Sequence, residues 1–134
     1  MSKIIKQAIV MVALMWLIPI SYAESEQSSS RMVFVSFSMP KESLKSIIRE
    51  AKARHVPVVI RGLVNNSFKQ TLASMKELMG ENIGGIQLDP MLFREFKVTA
   101  VPAFVSKYQN GYDIIYGNVH IDYAFDEMRR RHHA

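Results

Sequence analysis

Three short, predominantly apolar runs set the tightest limit on what this chain can fold into. They are Met32–Phe37 (MVFVSF), Val56–Val64 (VPVVIRGLV) and Thr99–Ser106 (TAVPAFVS). Each is rich in β-branched and aromatic residues and short, so each reads as a buried strand. Between the first two, Leu44, Ile47, Ile48 and Ala51 recur at i, i+3, i+4 and i+7, while Lys45, Arg49, Glu50 and Lys52 face away. That spacing predicts an amphipathic helix. It opens at Met39-Pro40-Lys41-Glu42, with Pro40 at the first helical position, where its missing N–H costs nothing, and ends near His55, before Pro57. Buried strand, amphipathic helix, buried strand implies parallel pairing through a right-handed crossover.

The remaining elements follow from turn and cap chemistry. Asn65-Asn66-Ser67 caps a helix whose Phe68, Leu72, Met75 and Met79 fall on one face and read as core. Gly80 stops it, and Gly84-Gly85 marks a loop. Ile86–Leu88 is a short strand, and Asp89-Pro90 caps a brief helix through Phe96. Asn110-Gly111 is a tight turn joining the third run to Tyr112–Tyr116 as an antiparallel hairpin. Asp122 is expected to cap a last helix, with Asp126 and Glu127 early and Arg129–Arg131 late, the order the helix dipole favours. The fold class is α/β, a mixed sheet of four or five strands with helices on both faces.

The two ends of the chain differ from its middle. Lys3 and Lys6 precede the apolar run Ala8–Ile20, which Ser21-Tyr22-Ala23 and the polar stretch Glu24–Arg31 follow. This is the pattern of a secretory signal peptide cleaved after Ala23. As a helix the run rises only about 20 Å, against a hydrocarbon core of roughly 30 Å, which speaks against a membrane anchor; with the run removed, no stable membrane insertion is expected. The expected organisation is signal 1–23, flexible polar tether 24–31, domain 32–131 and disordered tail 132–134, in the bacterial periplasm. Taking 23 of 134 residues away leaves 111, and loss of Lys3 and Lys6 lowers the net charge from +5 to +3. That is a weak basis for a nucleic-acid partner, and none is expected.

The chain has no cysteine, which excludes disulfides, thiolate nucleophiles, zinc–thiolate and iron–sulfur sites within it. His55, His120, His132 and His133 lack metal-ligand spacing with acidic neighbours, so no metal or cofactor is expected. Ser38 and Lys41 could be read as nucleophile and base. There is no G-x-S-x-G elbow and no third member, so Ser38 reads as a helix cap. Gly80–Gly85 lacks the lysine and hydroxyl of a phosphate loop. Arg129–Arg131 reads as a solvated helix end, with phospholipid or an acidic partner as the alternative.

The element order resembles a thioredoxin-like domain. Such domains carry a redox dipeptide at the first helix start, here Ser38-Met39-Pro40-Lys41. A strand beginning with a cis-proline is matched by Thr99-Ala100-Val101-Pro102-Ala103-Phe104-Val105. More narrowly, Val33–Pro40 (VFVSFSMP), Leu88–Phe96 (LDPMLFREF) and Val101-Pro102 are together similar to the family of F-type conjugative transfer pilin-assembly proteins (TrbC), over about residues 32–107. Redox chemistry needs a thiolate at the helix start and a second thiol to resolve the mixed disulfide. Ser38 and Lys41 supply neither, so that activity does not transfer. The resemblance implies a cis Val101–Pro102 bond and a candidate groove of Ser38, Met39, Pro40, Lys41, Val101 and Pro102, where an extended peptide adds main-chain bonds. It implies membership of a type IV secretion apparatus, and with the thiols absent the expected role is a non-enzymatic periplasmic factor that helps assemble conjugative pili. Its partner would be a periplasmic assembly protein of the TraW kind, with pilin or other transfer-apparatus subunits beside it. The alternative is a relative of thiol–disulfide oxidoreductases, acting on a partner's thiols, or a small periplasmic enzyme.

Overall fold

The computed structural model of the protein describes residues 29–134. The expected signal segment 1–23, with its cleavage at Ala23, and residues 24–28 of the expected tether lie outside the described residues. The described chain builds β1 (Ser30–Val35), α1 (Lys41–Ala53), β2 (Val58–Ile60), α2 (Phe68–Met79), β3 (Ile86–Leu88), α3 (Pro90–Glu95), β4 (Ala103–Tyr108), β5 (Gly111–Tyr116) and α4 (Ile121–His133). A 3-10 turn at Val64–Asn66 leads into α2.

The sheet order is β3-β2-β1-β4-β5. β1 pairs in parallel with β2, and β2 with β3, whereas β4 runs antiparallel to both β1 and β5. Four strands, β5-β4-β1-β2, with β4 alone reversed, are the thioredoxin-like arrangement; β3 extends it at the outer edge. Val33 and Val35 of β1 face one core, with Leu44, Ile47 and Ile48 of α1 and Phe125 and Met128 of α4. Met32 and Phe34 face the other, with Phe93 and Phe96, and the Phe34 and Phe93 rings meet edge to face at 4.9 Å. A strand covered on both faces needs apolar residues at every position, which explains the unbroken run.

Several boundaries move for local reasons. β1 begins inside the expected tether, because Ser30 and Arg31 pair with Lys107 and Ser106. β2 keeps only three residues of Val56–Val64, since Pro57 precedes it and Arg61 and Gly62 are exposed. β4 starts after Pro102, which has no N–H to give the ladder. The expected tail is corrected: α4 continues through His133, and the His132 ring stacks on Tyr108 at 3.9 Å. Phe68 leaves the core face of α2 and is 70% exposed, while Thr71 takes the buried position.

The caps divide. Ser67 and Asp89 cap α2 and α3 as expected, accepting from Gln70 N and from Met91 and Leu92 N. Ser38 and Asp122 do not cap. Pro40 is itself the N-cap of α1, without a side-chain bond, so it stands one position before the helix. His120 precedes α4, and Glu50 of α1 accepts from Ile121 N at 3.2 Å. Asp122 instead takes both arms of the Arg54 guanidinium, so α1 clasps the start of α4.

Candidate functional site

The parallel strands β1, β2 and β3 all end at one end of the sheet, which is where an open α/β sheet presents its ligand crevice. The Ser36–Lys41 segment turns there. Met39 N bonds Ser36 O at 3.1 Å, while the Ser36 and Ser38 hydroxyls lie 2.9 Å apart and Ser38 N donates to Ser36 Oγ. Ser38 is therefore occupied with the turn, and its side chain stays exposed.

Met39 and Lys41 face α2 across a groove of about 210 Å³. Phe37, Leu44, Val64 and Leu78 supply apolar walls, and Ser74 adds a hydroxyl. Lys41 bridges the groove to Glu77 through an ion pair. The hydrogen bond from Lys41 holds the Glu77 carboxyl below the usual carboxylate range. Both side chains are more than half exposed, so the pair shapes the groove and contributes little to stability.

Val101 and Pro102 lie at the same end of the sheet on the β4 side. The peptide bond between them is cis. Pro102 is buried and its carbonyl accepts from Gly117 N at 3.1 Å; Val101 packs against the Phe34 core. Among the described residues, neither the N–H nor the C=O of Val101 has a main-chain partner. The β1–β4 register ends at Phe34 opposite Ala103. Continued by two steps, it sets Val101 opposite Ser36, where α1's leading turn begins.

The predicted residues thus fall into two places. Met39 and Lys41 join the groove against α2, while Val101, with free main chain, and Pro102, whose carbonyl is bonded to Gly117 N, stand across the sheet end. Ser74, Glu77 and Leu78 were missed. The α2 sequence reads as a core helix, and nothing local marks Glu77 as the partner of a lysine 36 residues earlier. Exposed apolar side chains gather at this end: Phe68 opens α2, Leu88 closes β3, and Met91 sits in the first turn of α3, exposed at 70%, 43% and 63%. Among the described residues no group of three or more His, Cys, Asp or Glu side chains converges as for a metal ion.

Residues 33–128 match the family of type-F conjugative transfer system pilin assembly proteins. Periplasmic protein TrbC of Escherichia coli (strain K12) is 38% identical over 98 residues, covering 72% of this chain and 46% of that protein. The chain thus spans less than half the length of that relative. The solved structure of MTB dsbF, in mixed oxidized and reduced forms, aligns over 78% of each chain at 18% identity and a TM-score of 0.47.

Proposed function

Since the chain belongs to the family of type-F conjugative transfer system pilin assembly proteins, we propose that it acts in pilus assembly by binding other proteins, with no bond chemistry of its own. It is a periplasmic protein. One observation carries the reading. Where a redox domain of this fold holds two thiols, Ser38 is engaged in a turn and Lys41 in an ion pair, beside a groove with apolar walls. A hydroxyl bonded to a neighbouring serine has no base to activate it, and an ammonium cannot resolve a disulfide. An apolar groove rimmed by one charged pair suits a protein segment with an apolar anchor.

The occupant is a segment of a periplasmic assembly protein of the TraW kind, with pilin or other transfer-apparatus subunits as further partners. The free main chain of Val101 offers it strand-like bonds, and the Met39 groove takes a side chain. Deleting the gene in a conjugating host, scored for both pili and mating, tests the role. Normal pili in the deletion strain overturn it. Met39→Asp, with the fold intact by circular dichroism, is expected to lose pili as the deletion does. If the purified protein reshuffles disulfides in a thiol-free buffer, the enzymatic alternative replaces this reading.

A further inference from the structure

The outer edge of the sheet at β5 is a six-residue strand, Gly111–Tyr116 (GYDIIY), paired on its inner side with β4 alone. Its hydrogen-bonding direction follows from the hairpin. Tyr108 and Gly111 flank a two-residue loop, and the register runs without a bulge to Ala103 opposite Tyr116. The pair flanking such a loop exchanges hydrogen bonds, and bonded pairs then alternate. Gly117 N bonding Pro102 O at 3.1 Å fits the same alternation. Gly111, Asp113 and Ile115 therefore bond inward. Tyr112, Ile114 and Tyr116 turn three N–H and three C=O groups outward, with no main-chain partner among the described residues.

Natural edges are blunted by lysine, proline, bulges or shortness. β3, at the other edge, has only three residues. β5 has six, no proline, no lysine, no bulge and one charge, Asp113, on an inward-bonding residue. We propose that this edge pairs with the β5 edge of a second copy, making one continuous sheet of ten strands about a two-fold axis. The argument is self-complementarity. With Ile114 on the axis opposite its own copy, Tyr112 meets Tyr116 of the second copy and Tyr116 meets Tyr112. All three pairs then join outward-bonding residues, which a register shifted by one residue does not allow. Two Tyr–Tyr pairs and one Ile–Ile pair form on one face. Asp113 comes opposite Ile115, so no like charges face each other directly. Interfaces of this kind are isologous, each patch meeting itself.

This inference rests on the binding-module reading for its purpose, but its test does not. The cysteine-free chain makes a register-specific cross-link clean, because an introduced thiol has no native competitor in the chain. In the proposed register Ile114→Cys places two thiols on a bonded antiparallel pair, with Cα atoms about 5.5 Å apart, within disulfide reach. Asp113→Cys places them two residues out of step, beyond the roughly 7 Å limit. The full chain, exported to the periplasm and run on a non-reducing gel, is expected to give a reducible homodimer for Ile114→Cys and only monomer for Asp113→Cys. Should Ile114→Cys fail to accumulate, the double variant Tyr112→Cys/Tyr116→Cys is expected to give the same homodimer. Equal cross-linking of both single variants overturns the register. So does monomer for every variant, or a disulfide to a different protein in place of the homodimer. Loss of pili on deletion is unaffected by any of these, so the two readings fail separately.

Discussion

Thr71→Val isolates what one buried hydroxyl does for the groove. Thr71 is 2% exposed on α2. Its Oγ1 accepts from Val64 N at 2.8 Å and donates to Ser67 O at 2.7 Å. Valine keeps the shape and removes both bonds. Ser67 O retains Thr71 N at 3.0 Å, so the loss falls mainly on the Val64 amide. A buried donor left without its partner costs about 1–3 kcal/mol, and Val64 is half-buried, so the lower part of that range, about 1–2 kcal/mol, applies. For a domain near 100 residues this is a fall in Tm of roughly 4–16 °C. Val64 lines the groove, so the effect is also local. Amide hydrogen exchange is expected to show faster exchange at Val64 in Thr71→Val, and protection retained in Thr71→Ser, which keeps the hydroxyl. Unchanged Tm together with a protected Val64 amide in the valine variant would refute the reasoning.

Three further outcomes follow from the same contacts. Glu50→Ala removes the acceptor for Ile121 N and the contact with His120, and is expected to cost about 0.5–2 kcal/mol in urea unfolding, with Glu50→Gln restoring most of it. Asp122, Glu77 and Glu127 lie below their ordinary pKa values through hydrogen bonds from Arg54, Lys41, and Arg131 with Arg130, respectively. Because the folded values are the lower ones, their stabilisation is present above the ordinary values of 4.5 (Glu) and 3.8 (Asp) and is lost as pH falls through the depressed ones. Melts across that acid range are expected to show a shallower slope for Asp122→Asn; an identical slope argues against the Arg54 clasp. Finally, Ser38→Cys/Lys41→Cys rebuilds a Cys-x-x-Cys pair at the α1 start, and pH-dependent alkylation is expected to put the pKa of the thiol introduced in place of Ser38 below the ordinary thiol range. An ordinary value there would mean that the Ser38 position does not feel the helix start.

How much was legible in the chain differs by element. The apolar runs at Met32–Phe37 and Thr99–Ser106, the α1 periodicity, and the caps at Ser67 and Asp89 each depend on neighbours within a few residues, and each appears in the structure near its predicted place. Cap assignments failed at Ser38 and Asp122. At the start of α4 a better partner came from far along the chain: Glu50 for Ile121 and Arg54 for Asp122, 71 and 68 residues away. At Ser38 the neighbouring Ser36 hydroxyl holds the side chain in the turn instead. Phe68 fits the helical stripe of α2 by spacing, yet it sits in the first turn, beyond the edge of the core, where Thr71 takes the buried place.

The sequence alone determined the strand and helix order, the parallel crossover, the absence of thiols at the α1 start, and the resemblance that led to the family. These rest on local periodicity, turn chemistry and residue identity. Only the tertiary structure decided that Met39 and Lys41 close a groove with Ser74, Glu77 and Leu78, and that Tyr112, Ile114 and Tyr116 turn their main chain outward. Both depend on which strand lies beside which, and in what register. Pairing of that kind is set by burying apolar faces across the whole sheet, and no window of neighbouring residues contains it.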